Sequence, residues 1–125
     1  MFCVETYLAQ SPVHGVGLFA GQSIKKGVIL YKENPELDLH LSEQALLQLE
    51  ASEQAFIKHY GFFDVTRNRW HLSHDNIRFC NHSKQGNISL VEDGRLIALR
   101  DIDSGEELLQ DYREIKTYEG RNLKD

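Results

Sequence analysis

The chain is short of cysteine, of long apolar runs and of positive charge, and each shortage removes a class of protein. Cys3 and Cys80 are the only cysteines among 125 residues, and no CxxC occurs. One pair cannot build a disulfide framework, so the expected setting is a reducing compartment. No apolar stretch approaches the roughly 20 residues that a membrane-spanning helix needs, and no membrane partner is expected. The start, Met1-Phe2-Cys3-Val4-Glu5, has no basic segment followed by a long apolar one, so no secretory leader is expected. The address that follows is the cytosol. Lysine and arginine number 14 against 19 aspartates and glutamates, a formal charge of −5. That balance opposes sequence-independent binding to nucleic acid, which rests on neutralising phosphates. It suits a basic partner.

What is present describes one folded unit. Hydrophobic residues make up 41% and charged residues 26%, an ordinary globular mixture. A chain of this length buries roughly two-thirds of its unfolded surface, enough for a core without staples. No repeat, linker or low-complexity segment interrupts it, so residues 1–125 read as a single domain.

Few stretches have helical periodicity. Residues 2–8 alternate loosely and predict a strand. Ser11-Pro12-Val13-His14-Gly15-Val16-Gly17 is a turn punctuated by Pro and Gly. Lys25-Lys26-Gly27 predicts another turn, followed by a strand over Val28–Tyr31. Residues 42–59 carry the one helical pattern, with Ser42 as N-cap and Ser52 as the cap of a second short helix. Trp70-His71-Leu72 predicts a strand after the polar turn 66–69. Asp93-Gly94 between Ile88–Val91 and Leu96–Leu99 is a hairpin signal. Asp103-Ser104-Gly105 turns the chain into Glu107-Leu108-Leu109. The whole predicts a β-rich domain with a helical insert.

Three segments offer chemistry. Gly15-Val16-Gly17 lets backbone approach a ligand closely, because no Cβ intervenes at the glycines. It lacks the third glycine and the strand–helix setting of a dinucleotide fingerprint. Arg78-Phe79-Cys80-Asn81-His82-Ser83, with Asn87, supplies side chains that donate and accept hydrogen bonds. Gly105-Glu106-Glu107-Leu108-Leu109-Gln110-Asp111-Tyr112 is an apolar run closed by a tyrosine. Taken singly, each fits a structural part better than a functional one. Their order and co-occurrence point the other way.

Together these segments resemble the SET-domain family of protein lysine methyltransferases, from about Val4 to Tyr112, with residues 113–125 left as a short tail. The resemblance implies a mainly β fold of several small sheets, a short helical insert and a threaded, knot-like C-terminal core. It implies transfer of methyl groups from S-adenosylmethionine to a lysine of a protein substrate, histone-like or otherwise basic. The alternative is a SET module that binds cofactor or peptide without turnover. By position, the backbone of His14, Gly15, Val16 and Gly17 corresponds to the loop that holds the methionine part of the cofactor. Asn81 and His82 correspond to the cofactor-binding pair, and Arg78 to a residue that supports that site. Tyr112 corresponds to the tyrosine at the methyl-transfer centre. Glu107 and Asp111 fit the motif as residues that hold the strand.

The chain also departs from the family. Many relatives place Cys after Asn-His-Ser and carry a cysteine-rich tail that together bind zinc. Here the position is Lys84 and the tail has no cysteine, so neither zinc nor another metal is expected. His71 and His74 are expected to be structural or solvated. Gln110 stands where relatives often have an aromatic residue that limits the number of methyl groups. Gln110 and Tyr118, a candidate lid, are the expected substrate-channel residues. A partner subunit could supply missing walls, so a homodimer is an option. A host nucleus is a further address if the protein is delivered by a bacterium or virus.

Overall fold

The computed structural model describes residues 1–91 and 94–114. The described strands fall into three sheets of two, five and three strands. The first is a hairpin of β1 (Thr6–Gln10) and β2 (Val16–Ala20), paired antiparallel from Thr6↔Ala20 to Gln10↔Val16. β1 starts later than the alternation of residues 2–8 predicts. The first residues are instead tied to β3 (Ile29–Lys32): Phe2 bridges Tyr31, and the Cys3 N–H donates to the Leu30 carbonyl at 2.8 Å. Sequence alternation does not distinguish these two partners, because both offer a half-buried face.

The middle of the chain is an insert with its own core. It comprises β4 (Leu39–Leu41), α1 (Glu43–Leu47), α2 (Ala51–Tyr60), β5 (Phe62–Asp64) and β6 (Arg69–Leu72). The strands order as β4-β6-β5, and the helices cover them by burying Leu46 and Ile57 against Trp70 and Leu72. The helical pattern over 42–59 is therefore two helices. Ser42 caps the first, accepting from the Ala45 N–H at 3.0 Å. The second is capped by Glu50 rather than Ser52, through a reciprocal capping box with Glu53. The Gln54 amide donates to the Leu49 carbonyl at 3.0 Å and to the Leu47 carbonyl at 3.4 Å, and the latter contact helps satisfy the end of α1.

The last part of the chain completes the five-stranded sheet. β7 (Asn81–His82) follows a 3-10 turn over Asn76–Phe79, then come β8 (Ile88–Val91), β9 (Arg95–Ala98) and β10 (Leu109–Gln110). β8 and β9 form the predicted hairpin, with Gly94 at φ 69°, a left-handed conformation that glycine adopts without steric cost. The spatial order is β3-β9-β8-β10-β7, and β10 pairs parallel with both neighbours. The late strand β10 is thus inserted between two strands that precede it. Leu18, Leu30 and Leu108 are fully buried between this sheet and the β1–β2 hairpin. Each contributes about 1.5–3 kcal/mol through burial. This packing sets the three motif segments side by side. No helix among the described residues is long and apolar enough to cross a membrane.

Candidate cofactor and catalytic site

Glu107 is the hub at which the first two motif segments meet the third. Its carboxylate accepts from the Ser11 hydroxyl at 2.8 Å and from the Asn81 side-chain amide at 3.0 Å. The same Asn81 amide donates to the His14 carbonyl at 2.8 Å. Ser11 Oγ in turn accepts the Val13 N–H at 2.9 Å, and the Ser11 N–H donates to the Gly15 carbonyl at 2.7 Å. The loop from Ser11 to Gly17 is therefore closed on itself and clamped to β7 and to the approach of β10. Gly17 is required by contact: a Cβ there would lie 2.4 Å from Glu107 Oε2. Gly15 differs, because its φ is 46° and a Cβ would meet nothing within 4 Å. An exposed turn with open space above a left-handed glycine can take the close approach of a ligand.

Asn87 holds the other side of β10. It is 2% exposed, and its amide accepts the Leu109 N–H at 2.8 Å while donating to the Glu107 carbonyl at 2.8 Å. A buried Asn with both ends satisfied fixes the strand register and keeps Glu107 aimed at the loop.

Tyr112 opens a second 3-10 turn, Tyr112–Glu114, rather than closing a strand, because β10 ends at Gln110. Its backbone N–H donates to His82 Nδ1 at 3.0 Å, which places the imidazole proton on Nε2. Its ring lies 5.2 Å from that of His82, and its hydroxyl donates to the Cys80 carbonyl. Cys80 Sγ points into the core toward the Leu108 carbonyl at 3.3 Å. Asp111 is 3.8 Å from His82 Nδ1, and the side chain of Arg113 holds the Asp111 carboxyl down at about 2.

The structure therefore brings His14, Gly15, Val16, Gly17, Asn81, His82 and Tyr112 into one region. The imidazole of His14 is exposed, and it is the His14 backbone that Asn81 grips. Arg78 packs over the rings of Phe56, Tyr60 and Phe79 at 5.4 to 5.9 Å, tying the 3-10 turn to α2. Gln110 is buried, and its amide donates to Glu114 at 2.8 Å, a carboxylate also held by Ser89 and the Leu90 N–H. Tyr118 lies outside the described residues. Sequence reasoning missed Ser11 as a clamp. The available signal was a hydroxyl immediately before Pro12 in a glycine turn, where such side chains bond nearby backbone. Glu107 showed itself as an acidic residue leading an apolar run.

Solved structures share this arrangement of strands. A candidate histone methyltransferase of Plasmodium falciparum superposes with a TM-score of 0.62 at 18% identity, covering 87% of this chain and 93% of its own. The Polycomb Repressive Complex 2 of Chaetomium thermophilum gives 0.63 at 25% identity, over 87% of this chain and 15% of that one. The same fungal complex in an autoinhibited conformation bound to S-adenosylmethionine gives 0.61 at 21% identity. This chain thus spans nearly all of the first relative and a small part of the fungal chains. No curated protein matches it. A family model described as the SET domain matches residues 15–113, which contain Gly15, Gly17, Asn81, His82, Asn87, Glu107 and Tyr112, and the chain belongs to the SET domain family.

Proposed function

We propose that the protein transfers methyl groups from S-adenosylmethionine to a lysine side chain of a protein substrate. The observation that carries this reading is the Asn81 amide, which joins the open Gly15 loop to the strand beside Tyr112. The residues fit the cofactor: an exposed backbone turn at His14–Val16, with room above Gly15, is tied to the segment that holds Asn81 and His82. When bound, the cofactor supplies an electrophilic methyl on a positively charged sulfur.

The chain's own residues would then do three things. The clamp built on Glu107, Asn81 and Ser11 keeps the loop backbone rigid before binding, so little ordering remains to oppose affinity. Tyr112, fixed through His82 and Cys80, presents an aromatic ring and an oriented hydroxyl where the amine and methyl meet. A free lysine has a pKa of about 10.4, so its amine must lose a proton before attack. A confined site beside a positive sulfur disfavours the charged amine and helps that loss. Tyr112 and the confined site would orient the neutral amine towards that methyl, with the single proton lost by the ammonium passing to solvent and the demethylated, uncharged thioether leaving. Positioning and electrostatics, rather than a strong base, supply the acceleration.

The acidic balance of −5 favours a lysine-rich, basic substrate, with histones as one member of that class. The test is incubation with isotopically labelled cofactor and a panel of lysine-rich proteins, followed by mass mapping of the modified site. Label on lysine that depends on Tyr112 supports the reading. Saturable cofactor binding with no transfer to any protein would instead establish a binding module.

A further inference from the structure

A second cluster of polar side chains lies away from the Gly15 loop, where the insert joins the main sheet. Glu33 follows β3, Asp38 precedes β4, and His71 lies in the middle of β6. We infer that Glu33, Asp38 and His71 form a binding site for one divalent first-row metal cation.

The first argument is geometric. One ligand atom from each residue falls within 4.8 Å of the others. His71 Nε2 is 2.8 Å from Asp38 Oδ2 and 3.7 Å from Glu33 Oε1. Metal bonds of about 2.0–2.2 Å, opened by 90° to 120°, set ligand atoms about 3 to 3.7 Å apart. The cluster therefore needs movement of a few tenths of an ångström between Asp38 and His71 and a modest inward swing of Glu33. Its backbone need not move.

The second argument is burial and charge. The Asp38 side chain is 0% exposed and that of His71 2%, whereas Glu33 is 28% exposed. Burial alone would push the Asp38 carboxyl up, but hydrogen bonds from His74 and His71 outweigh it and hold the group below its ordinary value. The carboxylate is thus charged and enclosed, with a second acid beside the same imidazole. Asp75 lies on the far side of His74, 3.5 Å from its Nε2, and is paired with the Met1 ammonium at 3.1 Å. A cation at the shared face of Glu33 and Asp38 would balance charge that the protein otherwise leaves to imidazoles.

The third argument is orientation. Asp38 Oδ1 is occupied by the His74 N–H at 2.9 Å and the His74 ring at 2.6 Å, which turns Oδ2 toward His71. Such outer contacts fix a ligating carboxylate. Glu33 lies in a slot that exists because residue 94 is glycine: a Cβ there would fall 2.4 Å from Glu33 Oε2. The Glu33 N–H donates to the Gly94 carbonyl at 2.9 Å. His71 Nδ1 is buried and has no hydrogen-bond partner among the described residues. Nε2 now donates to Asp38 Oδ2, and a cation bound between the carboxylates would take that proton's place and displace it to Nδ1, which has no competing partner among the described residues.

Two carboxylate oxygens and one imidazole nitrogen, without a thiolate, suit Zn(II), Mn(II) or Fe(II) rather than Cu(I) or an iron–sulfur cluster. Partial exposure of Glu33 provides an entry side, and water would complete the coordination. The position gives such an ion a structural effect. The cluster separates the insert core, which contains Trp70 and Leu72, from the main core, which contains Tyr31. A cation there would tie the insert to β3 and to the segment that leads through Asp75 into β7. This inference stands on geometry independent of methyl transfer.

The experiment uses the full chain stripped with chelator, titrated with Zn(II) and with Mn(II) by calorimetry and followed by thermal unfolding. Glu33→Gln removes one ligand at a partly exposed position, and His59→Gln serves as a control for adventitious histidine binding. One-to-one binding is expected, with a raised unfolding temperature, about tenfold or greater weakening in Glu33→Gln and no change in His59→Gln. Mn(II) should broaden the NMR signals of His71, His74 and His40, whose ring lies 4.7 Å from that of His71, before those of His14, His59 and His82. Absence of saturable binding, equal affinity in Glu33→Gln, or broadening centred elsewhere would overturn the inference and leave the cluster as a hydrogen-bonded joint alone.

Discussion

The Asn81 side-chain amide donates to the His14 carbonyl at 2.8 Å and to the Glu107 carboxylate at 3.0 Å, linking two residues, Asn81 and His14, that are 67 positions apart. The amide is consumed by protein contacts. Its contribution to a ligand site is therefore to hold the loop whose backbone meets the ligand.

Replacing Asn81 by Asp tests that clamp with almost no change of shape. The donor is lost and a second carboxylate faces Glu107 at about the distance where the amide now donates. We expect the variant to lose about 2–4 kcal/mol of stability, more than Asn81→Ala, because repulsion adds to the lost hydrogen bonds. Urea unfolding of both variants measures this, and an Asp variant as stable as the Ala variant would contradict the clamp.

The two glycines of the loop should respond differently. In Gly17→Ala the new Cβ would lie 2.4 Å from Glu107 Oε2 and 2.9 Å from Ser11 Cβ, so the clamp must open. Gly15→Ala meets no atom and costs only the left-handed backbone, about 1 kcal/mol. Calorimetric unfolding should rank Gly17→Ala as the less stable. Cofactor affinity should fall in both, in Gly15→Ala because the methyl occupies the space over the turn.

Tyr112→Phe removes one hydroxyl that donates to the Cys80 carbonyl. The stability change should be about 1 kcal/mol. Methyl transfer should fall by about a hundredfold or more, while cofactor binding stays within a few-fold, because the ring and the His82 contact remain. Single-turnover transfer alongside cofactor titration separates the two. Full activity in the variant would falsify the catalytic assignment.

Acid should weaken the protein through Asp38 and Asp111. The unfolded reference is about 3.9. Both folded carboxyls lie below it, Asp111 at about 2 because of Arg113, and Asp38 because the hydrogen bonds of His74 and His71 outweigh its burial. A depressed folded pKa contributes stability that is complete above the unfolded value and disappears as pH falls through the folded one. In urea titrations, Asp38→Asn should be less stable than wild type at pH 6, and the gap should narrow towards pH 3. A gap that stays constant over that range would show that the ionised carboxylate contributes nothing.

The sequence alone determined the elements with a local cause. Ser42 caps α1 because its hydroxyl reaches the third amide onward, and Gly94 turns the β8–β9 hairpin because its φ is positive. The ordered motifs around Gly15, Asn81 and Tyr112 named the family before any contact was known. What only the tertiary structure decided were the non-local pairings. β1 begins at Thr6 because the residues before it are taken by β3. The insertion of β10 between β7 and β8, and the meeting of Glu107 with Ser11 and Asn81, join segments with no shared periodicity. His71 looked like an ordinary strand residue because Glu33 and Asp38 reach it from β3 and from the chain before β4. Periodicity records which face of an element is buried, and the folded chain alone records which distant side chain lies against it.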